Sequence, residues 1–547
     1  MLLGLSLGCG DPALPGGGPP DSGQAPDGGG EPPDSGVGPG DPDSGEVDGG
    51  PHDAGTLDAG PRDGGANDAG RTDAGQPDGG KSDAGGADAG RTDAGRADGG
   101  SSSVCTGRCI MVPTPAMDST WGVDNTGATE SSLRMMQFLS HVVATLQPTA
   151  ASPVTVRLQP GSVYWFGFAI QFRYSAPSNG SAVWNTQLFP TTVLPPFDAS
   201  YVTFDLNGST VDQCYSATKS QTDYANCVAM WNVGRVGAGN AIFSISGATD
   251  VTIEGNPNAT DETQYGRATN SAFANYVLST GVSFWVQKVE NLAYFNWPGL
   301  SVDHVNPAVA GRNLVQNIRL THVDVEWVGG DFVYLRGETA KYLVDPTNTM
   351  NLDHITIENN KLFHSGRQGI TINGGSYVTI TGNHMSDANR HMFDSEPSPN
   401  EGWEHLTIEK NITGAGSLGF LSFNLVSAAA TDLVIRDNVL AKVGTASPGA
   451  NFGIAIGHQL PASGVVSAHN VTITGNTQDQ AGVYGPAVTR CFTSATTFLI
   501  SIGNFDGVTV QNNTNYVKDP AQAVRVLGPG AATAVTSPNS FLTGPGC

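Results

Sequence analysis

A six-residue pattern constrains this chain more than any other feature: two apolar or β-branched positions, two apart, followed by a closing Asn. It occurs as VTIEGN (251–256), ITIENN (355–360), VTITGN (378–383), LTIEKN (406–411), LVIRDN (433–438), VTITGN (471–476) and VTVQNN (508–513). IRLTHV (318–323) fits as a copy without the Asn. From residue 355 onward the starts lie 23, 28, 27, 38 and 37 residues apart. A fixed strand at a variable interval marks a solenoid, whose insertions fall into loops on one side. Within each copy the first and third positions point inward and stack on their equivalents about 4.8 Å away in the next coil. Asn383 and its six equivalents then share one corner, where they can hydrogen-bond along the axis and take the left-handed backbone of a sharp turn.

Coils of about 22 residues or more, built from short strands, give an all-β fold, a parallel β-helix. The stretch 153–166 (PVTVRLQPGSVYWF) and the stretch 201–211 (YVTFDLNGSTV) read as its first coils. Before them, WGVDNTGAT (121–129) leads into an amphipathic stretch over 130–147 that Pro148 ends. Leu133, Met136, Phe138, Leu139, Val142, Val143 and Leu146 fall on one face of it, so a helix here would cap the open end of the sheet stack. With these motifs the chain resembles the pectin-lyase-like right-handed parallel β-helix superfamily over most of 118–545. The resemblance implies a right-handed solenoid with an N-terminal capping helix, and a monomer is expected.

The first hundred residues are of another kind. They hold 30 of the 72 Gly, 19 of the 50 Asp plus Glu and five of the 26 Lys plus Arg. From Asp53 to Asp98 an Asp recurs at every fifth position, and residues 10–52 mix Pro, Gly and Asp. No apolar periodicity accompanies them, so burial cannot offset the cost of ordering this segment. We therefore expect a solvated tether over 10–103 and the solenoid domain over 104–547. The opening segment 1–9, ending Ser6-Leu7-Gly8-Cys9, resembles the lipobox of bacterial lipoproteins, with Cys9 as the lipidated residue. No Lys or Arg precedes Cys9, which suggests a start upstream of Met1. The implied location is the cell envelope, on the outer membrane or cell surface, or secreted, with the lipid as the sole membrane contact. Six cysteines remain, Cys105, Cys109, Cys214, Cys227, Cys491 and Cys547, an even number that in an exported protein reads as disulfides. Cys214 with Cys227 is the expected local bridge, and the N-terminal pair is expected to reach toward Cys491 and Cys547. A formal net charge of −24 excludes a nucleic-acid binder working through bulk positive charge.

Aligning coils on the corner Asn also predicts which side chains point outward. Val333 and Leu335, Ile370 and Ile372, Phe393 and Ser395, and Leu421 and Phe423 should face in. Tyr334 and Arg336, Thr371 and Asn373, Asp394 and Glu396, and Ser422 and Asn424 should then share one outer face. Asp331, Arg367 with Gln368, and Arg390 with His391 fall just before these strands at matching offsets. The segments GRQGI (366–370) and RHMFDSEP (390–397) resemble motifs recurring in one group of bacterial β-helix proteins.

The patch suits glycan chemistry. Asp394 and Glu396, two apart on one strand face, have backbone positions about 6.5–7 Å apart, compatible with the roughly 6.5–9.5 Å between the carboxylates of an inverting glycosidase. They are the expected acid/base pair of a polysaccharide hydrolase. His391, Arg367 and Arg390 would bind or polarise the sugar, while Asp331, Tyr334, Arg336, Gln368, Asn373 and Asn424 would line the cleft. Two alternatives stand beside it. In a polysaccharide lyase a cation neutralises a uronate carboxylate and His391 removes the neighbouring proton. In a glycan-binding or adhesion lipoprotein the same patch only binds. No cofactor and no metal site is expected: calcium could bind surface carboxylates, but no ligand cluster is assignable. The chain has no Walker-type phosphate loop and no HExxH.

Overall fold

The computed structural model describes residues 108–167, 169–174, 194–213, 241–245, 247–271, 293–296, 315–328, 330–336, 352–397, 402–414, 419–426, 429–441, 453–459, 468–488, 491–492 and 499–543. Cys9, the tether, Cys105, Cys214, Cys227 and Cys547 lie outside them. The two described cysteines, Cys109 and Cys491, are both disulfide-bonded.

Three parallel sheets run the length of the domain. Among the described residues sheet A has 11 strands, from Cys109–Met111 to Asp506–Gln511; sheet B has 12, from Thr126–Glu130 to Ser540–Leu542; sheet C has 10, from Ile170–Gln171 to Val524–Leu527. After the first coil, which gives strands to A and B alone among the described residues, the chain passes from A to B to C, as Leu352–Glu358, Lys361–Ser365 and Ile370–Ile372 do before Gly375–Thr381 returns to sheet A. The fold is a parallel β-helix.

The repeated motif forms the sheet A strands, and its register explains the residue choice. Ile355, Val378, Leu406, Leu433, Val471 and Val508 pair in succession, as do Ile357, Ile380, Ile408, Ile435, Ile473 and Val510. All are at most 1% exposed, so both apolar positions fill the interior.

At the corner between sheets A and B the Asn residues form a ladder. Asn360 donates to Asn383 Oδ1 at 2.9 Å, Asn383 to Asn411 at 3.0 Å, Asn411 to Asn438 at 3.0 Å, Asn438 to Asn476 at 2.9 Å and Asn476 to Asn513 at 3.0 Å. Asn539 extends it by one rung, 3.0 Å from Asn513, although no motif flags it. Asn256 does not join: its amide donates to Gln264 O at 2.9 Å, because residues 256–265 form an excursion before sheet B resumes at Gly266. The left-handed residue is also not the ladder Asn but the one before it: Asn359, Gly382, Lys410, Asp437, Gly475 and Asn512 have φ between 53° and 69°. The Asn side chain satisfies the turn while its neighbour bends the chain.

The cap is the helix Ser132–Leu146, which buries Met135, Met136, Phe138, Leu139 and Val142. Ser131 makes no side-chain cap; instead Glu130 accepts from Ser132 N at 2.8 Å and Gly167 N at 3.1 Å. Gln147, left-handed at φ 47°, ends the helix ahead of Pro148. No helix among the described residues is long and apolar enough to cross a membrane.

Candidate active site

Sheet C carries the predicted patch. Val333, Ile370, Phe393 and Leu421 stack inward, and beside them Tyr334 pairs with Thr371, Thr371 with Asp394, and Asp394 with Ser422 on the outer face. The preceding turns are in register too: Arg367 N donates to Gly330 O at 3.1 Å and Arg390 N to Arg367 O at 2.8 Å. The structure thus brings Asp331, Tyr334, Arg367, Gln368, Asn373, His391, Asp394 and Glu396 together. Arg336 follows at the end of strand Val333–Arg336, with its side chain outside the described residues.

One expectation fails. The outer face was to be solvent-facing, yet Tyr334, Thr371, Asn373 and Asp394 are buried, as are Asp331, Arg367 and Gln368. Register fixes the direction of a side chain relative to its sheet, not what lies over it. Exposure begins at Glu396 and Asn424.

The buried members form a connected network. Asp331 accepts from Arg367 Nη1 at 2.6 Å, Gln368 N at 2.9 Å and Thr371 Oγ1 at 2.9 Å. Burial pushes its carboxyl up, and Arg367 with the two other donors opposes that. The other Arg367 terminal nitrogen lies 3.9 Å from Glu396 Oε2. Gln368 Oε1 accepts His391 N at 2.9 Å, and Asn373 joins Tyr334 OH, 3.1 Å from its amide, to the backbone N of Glu396, 2.9 Å from its oxygen. The Gly of GRQGI is also explained: a Cβ on Gly369 would meet Met392 O at 2.3 Å, so only Gly lets the turn pack on the next coil. Met392 is accordingly fully buried rather than in the polar patch.

Asp394 is the exception to this satisfaction. It is 2% exposed, and its Oδ2 has no hydrogen-bond partner among the described residues. Burial, then the negative charge of Glu396, raises its pKa to about 8 against the opposing pull of Arg367. His391 Nδ1, also unpartnered, is 3.9 Å from Asp394 Oδ1, and burial with Arg390 lowers its pKa to about 4. Near neutral pH the pair is therefore a protonated carboxyl beside a neutral imidazole. Among the described residues no group of three or more His, Cys, Asp or Glu is placed to hold a metal ion.

Sequence reasoning missed a second polar cluster, on sheet B. Arg267, Asp324, Lys361 and His384 pair in succession there, and Glu326 lies beside Asp324. Lys361 is 3.3 Å from Asp324 and 3.5 Å from Glu326. The signal was present, since DVE (324–326) has the same spacing as DSE (394–396). Here, however, Lys361 and Arg267 both lie against the two acids, and burial raises Asp324 to only about 6.

Three parallel sheets wound coil upon coil around an Asn ladder define the class: this is a right-handed parallel β-helix protein. Residues 311–515 match the model of the right handed beta helix region family. No curated protein matches the chain. Among solved structures it is similar to PfbA, a surface adhesin of Streptococcus pneumoniae, at 11% identity and TM-score 0.35, over 79% of this chain and 93% of that one. It is similar to a hyperthermoactive exopolygalacturonase from Thermotoga maritima at 10% identity and TM-score 0.35, over 79% and 92%. A third is the catalytic unit of a GH87 alpha-1,3-glucanase from Streptomyces thermodiastaticus, at 12% identity and TM-score 0.33, over 81% and 71%. Likenesses of this strength assign no reaction.

Proposed function

We propose that the protein is an extracellular polysaccharide hydrolase, exported, anchored through a lipid on Cys9 and held off the membrane by the 10–103 spacer. One observation carries the reading: a buried carboxyl, Asp394, keeps its proton near neutral pH, leaves one oxygen unpartnered, and stands beside the exposed carboxylate of Glu396. Two carboxyl groups with different environments are the requirement for acid/base cleavage of a glycosidic bond. Asp394 donates its proton to the leaving oxygen as the bond from the anomeric carbon breaks. Glu396 takes a proton from the water that attacks that carbon. The products are a reducing-end hemiacetal and an alcohol, together one water heavier than the substrate. Arg367, fixed by Asp331, holds Glu396 in place, and His391 contributes a neutral hydrogen-bonding edge.

The test is incubation of the full chain with a polysaccharide panel, read by mass spectrometry. Products that gain water and disappear in Asp394→Asn and Glu396→Gln, each slowed about 100-fold or more, support the reading. Unsaturated products would replace it with the lyase, in which neutral His391 is the base. Full activity in both variants would discard the pair.

A further inference from the structure

Beyond Asp394 the outer face of sheet C changes character. The column through Asp394 continues as Ser422, Ala455 and Ser501, and the next column runs from Asn424 through Gly457 to Gly503. Ser422 and Ser501 are partly open to solvent, and Ala455 and Asn424 are exposed. A Cβ added at Gly457 would meet nothing within 4 Å, so this Gly is not required by packing. Small uncharged residues in both columns leave a floor extending three strands, about 14 Å, from Asp394. The next charged side chain in that column is Arg525, one strand further on, whose guanidinium donates to Ser501 Oγ at 3.1 Å. At the other end stands Asp394 in the same column, 2% exposed, its Oδ2 without a hydrogen-bond partner among the described residues.

The guanidinium beside Asp394 with a described side-chain partner, that of Arg367, is already in use. Arg367 is 4% exposed and held by Asp331 at 2.6 Å, with Glu396 at 3.9 Å. A uronate polymer would have to lay a carboxylate on each sugar beside Glu396 and against columns that, among the described residues, carry no cation between Asp394 and Arg525. A neutral chain needs only hydroxyl partners, which Ser422, Asn424 and Ser501 supply.

We infer that this floor seats a neutral, hydroxyl-rich polysaccharide lying along the solenoid axis, running from Asp394 toward the C-terminal coils. The inference rests on Asp394 and Glu396 being the reacting end of the site. It departs from uronate recognition and gives Gly457 a function: leaving room for the chain.

Affinity electrophoresis tests it, with the full chain carrying Asp394→Asn run through gels containing neutral polymers (a β-1,3-glucan, a dextran, a β-1,4-mannan) or uronate polymers (polygalacturonate, alginate). Retardation by a neutral gel is expected, changing less than about twofold between about 0.05 and 0.5 M salt, because screening has no charge contact to weaken. Adding Gly457→Phe, whose Cβ would meet nothing within 4 Å, should weaken retardation about tenfold. Retardation by uronate gels alone, by neither set, or undiminished by Gly457→Phe overturns the inference. The hydrolase reading fails separately: a neutral glycan bound but left uncut by the wild type removes the reaction and keeps the floor. A uronate polymer cut in an Asp394-dependent manner does the reverse.

Discussion

Asp394 and His391, three residues apart on one strand, bring Oδ1 and Nδ1 to 3.9 Å without an ion pair. The carboxyl titrates near 8 and the imidazole near 4, so between those values neither is charged. Burial dominates both shifts and acts against charge in each case.

If Asp394 is the proton donor, kcat/KM should hold toward neutral pH and fall as pH rises through about 8, where the buried carboxyl ionises. The alkaline limb of a pH–rate profile on the cleaved glycan checks this. A profile flat to pH 10 would remove Asp394 from the acid role.

The same shift has a stability consequence of definite sign. The folded-state value lies above the unfolded one, so the carboxyl is tolerated in full below about pH 4, and stability is lost progressively until about pH 8. Asp394→Asn removes that dependence. Its Tm relative to wild type should therefore rise from pH 4.5 to pH 8.5, even as activity is lost. Thermal unfolding at both values measures it, and an Asn variant that loses ground at the higher pH would contradict the buried-carboxyl account. It would favour an ion pair made by Asp394.

How much of this was legible in the sequence follows from what periodicity encodes. Alternation reports direction, so Ile370 and Ile372, Phe393 and Ser395 were placed inward and Thr371 and Asp394 outward from spacing alone. It does not report cover, and the burial of Tyr334, Asn373 and Asp394 was not foreseen. The Asn ladder was readable because its side chains must repeat, whereas the left-handed residue before it was not: Asn, Gly, Lys and Asp all take that position. Asn256 misled because six residues of motif cannot show that the chain leaves the corner immediately afterward. The cluster at Asp324 went unread because its partners, Arg267, Lys361 and His384, come from three other coils.

The ladder should be cooperative. Asn411 accepts from both the amide and the backbone N of Asn383 at 3.0 Å, and donates to Ile380 O at 2.9 Å and Asn438 Oδ1 at 3.0 Å. Asn411→Ala strands several buried groups at once, at a cost of about 1–3 kcal/mol for each unsatisfied one. Asn256→Ala, outside the ladder, should cost less than about 1 kcal/mol. Urea unfolding of the two variants separates them, and equal losses would mean that the corner, not the ladder, sets stability.

Asp331 and Arg367 make the most exacting test of the site's foundation. Both are almost wholly buried, and the carboxylate takes three donors. Removing one partner of a buried pair costs about 3–5 kcal/mol because the other charge is left uncompensated. Asp331→Ala should therefore destabilise strongly. Arg367→Met in that background should recover part of the loss by removing the stranded cation, giving a non-additive cycle. Catalysis should respond differently. In Asp331→Ala the freed guanidinium can close the 3.9 Å gap to Glu396 and tie up the oxygen that must meet the attacking water, lowering kcat more than it raises KM. If Asp331→Ala unfolds like the wild type, or the double variant is less stable than Asp331→Ala, the pair does not anchor this site.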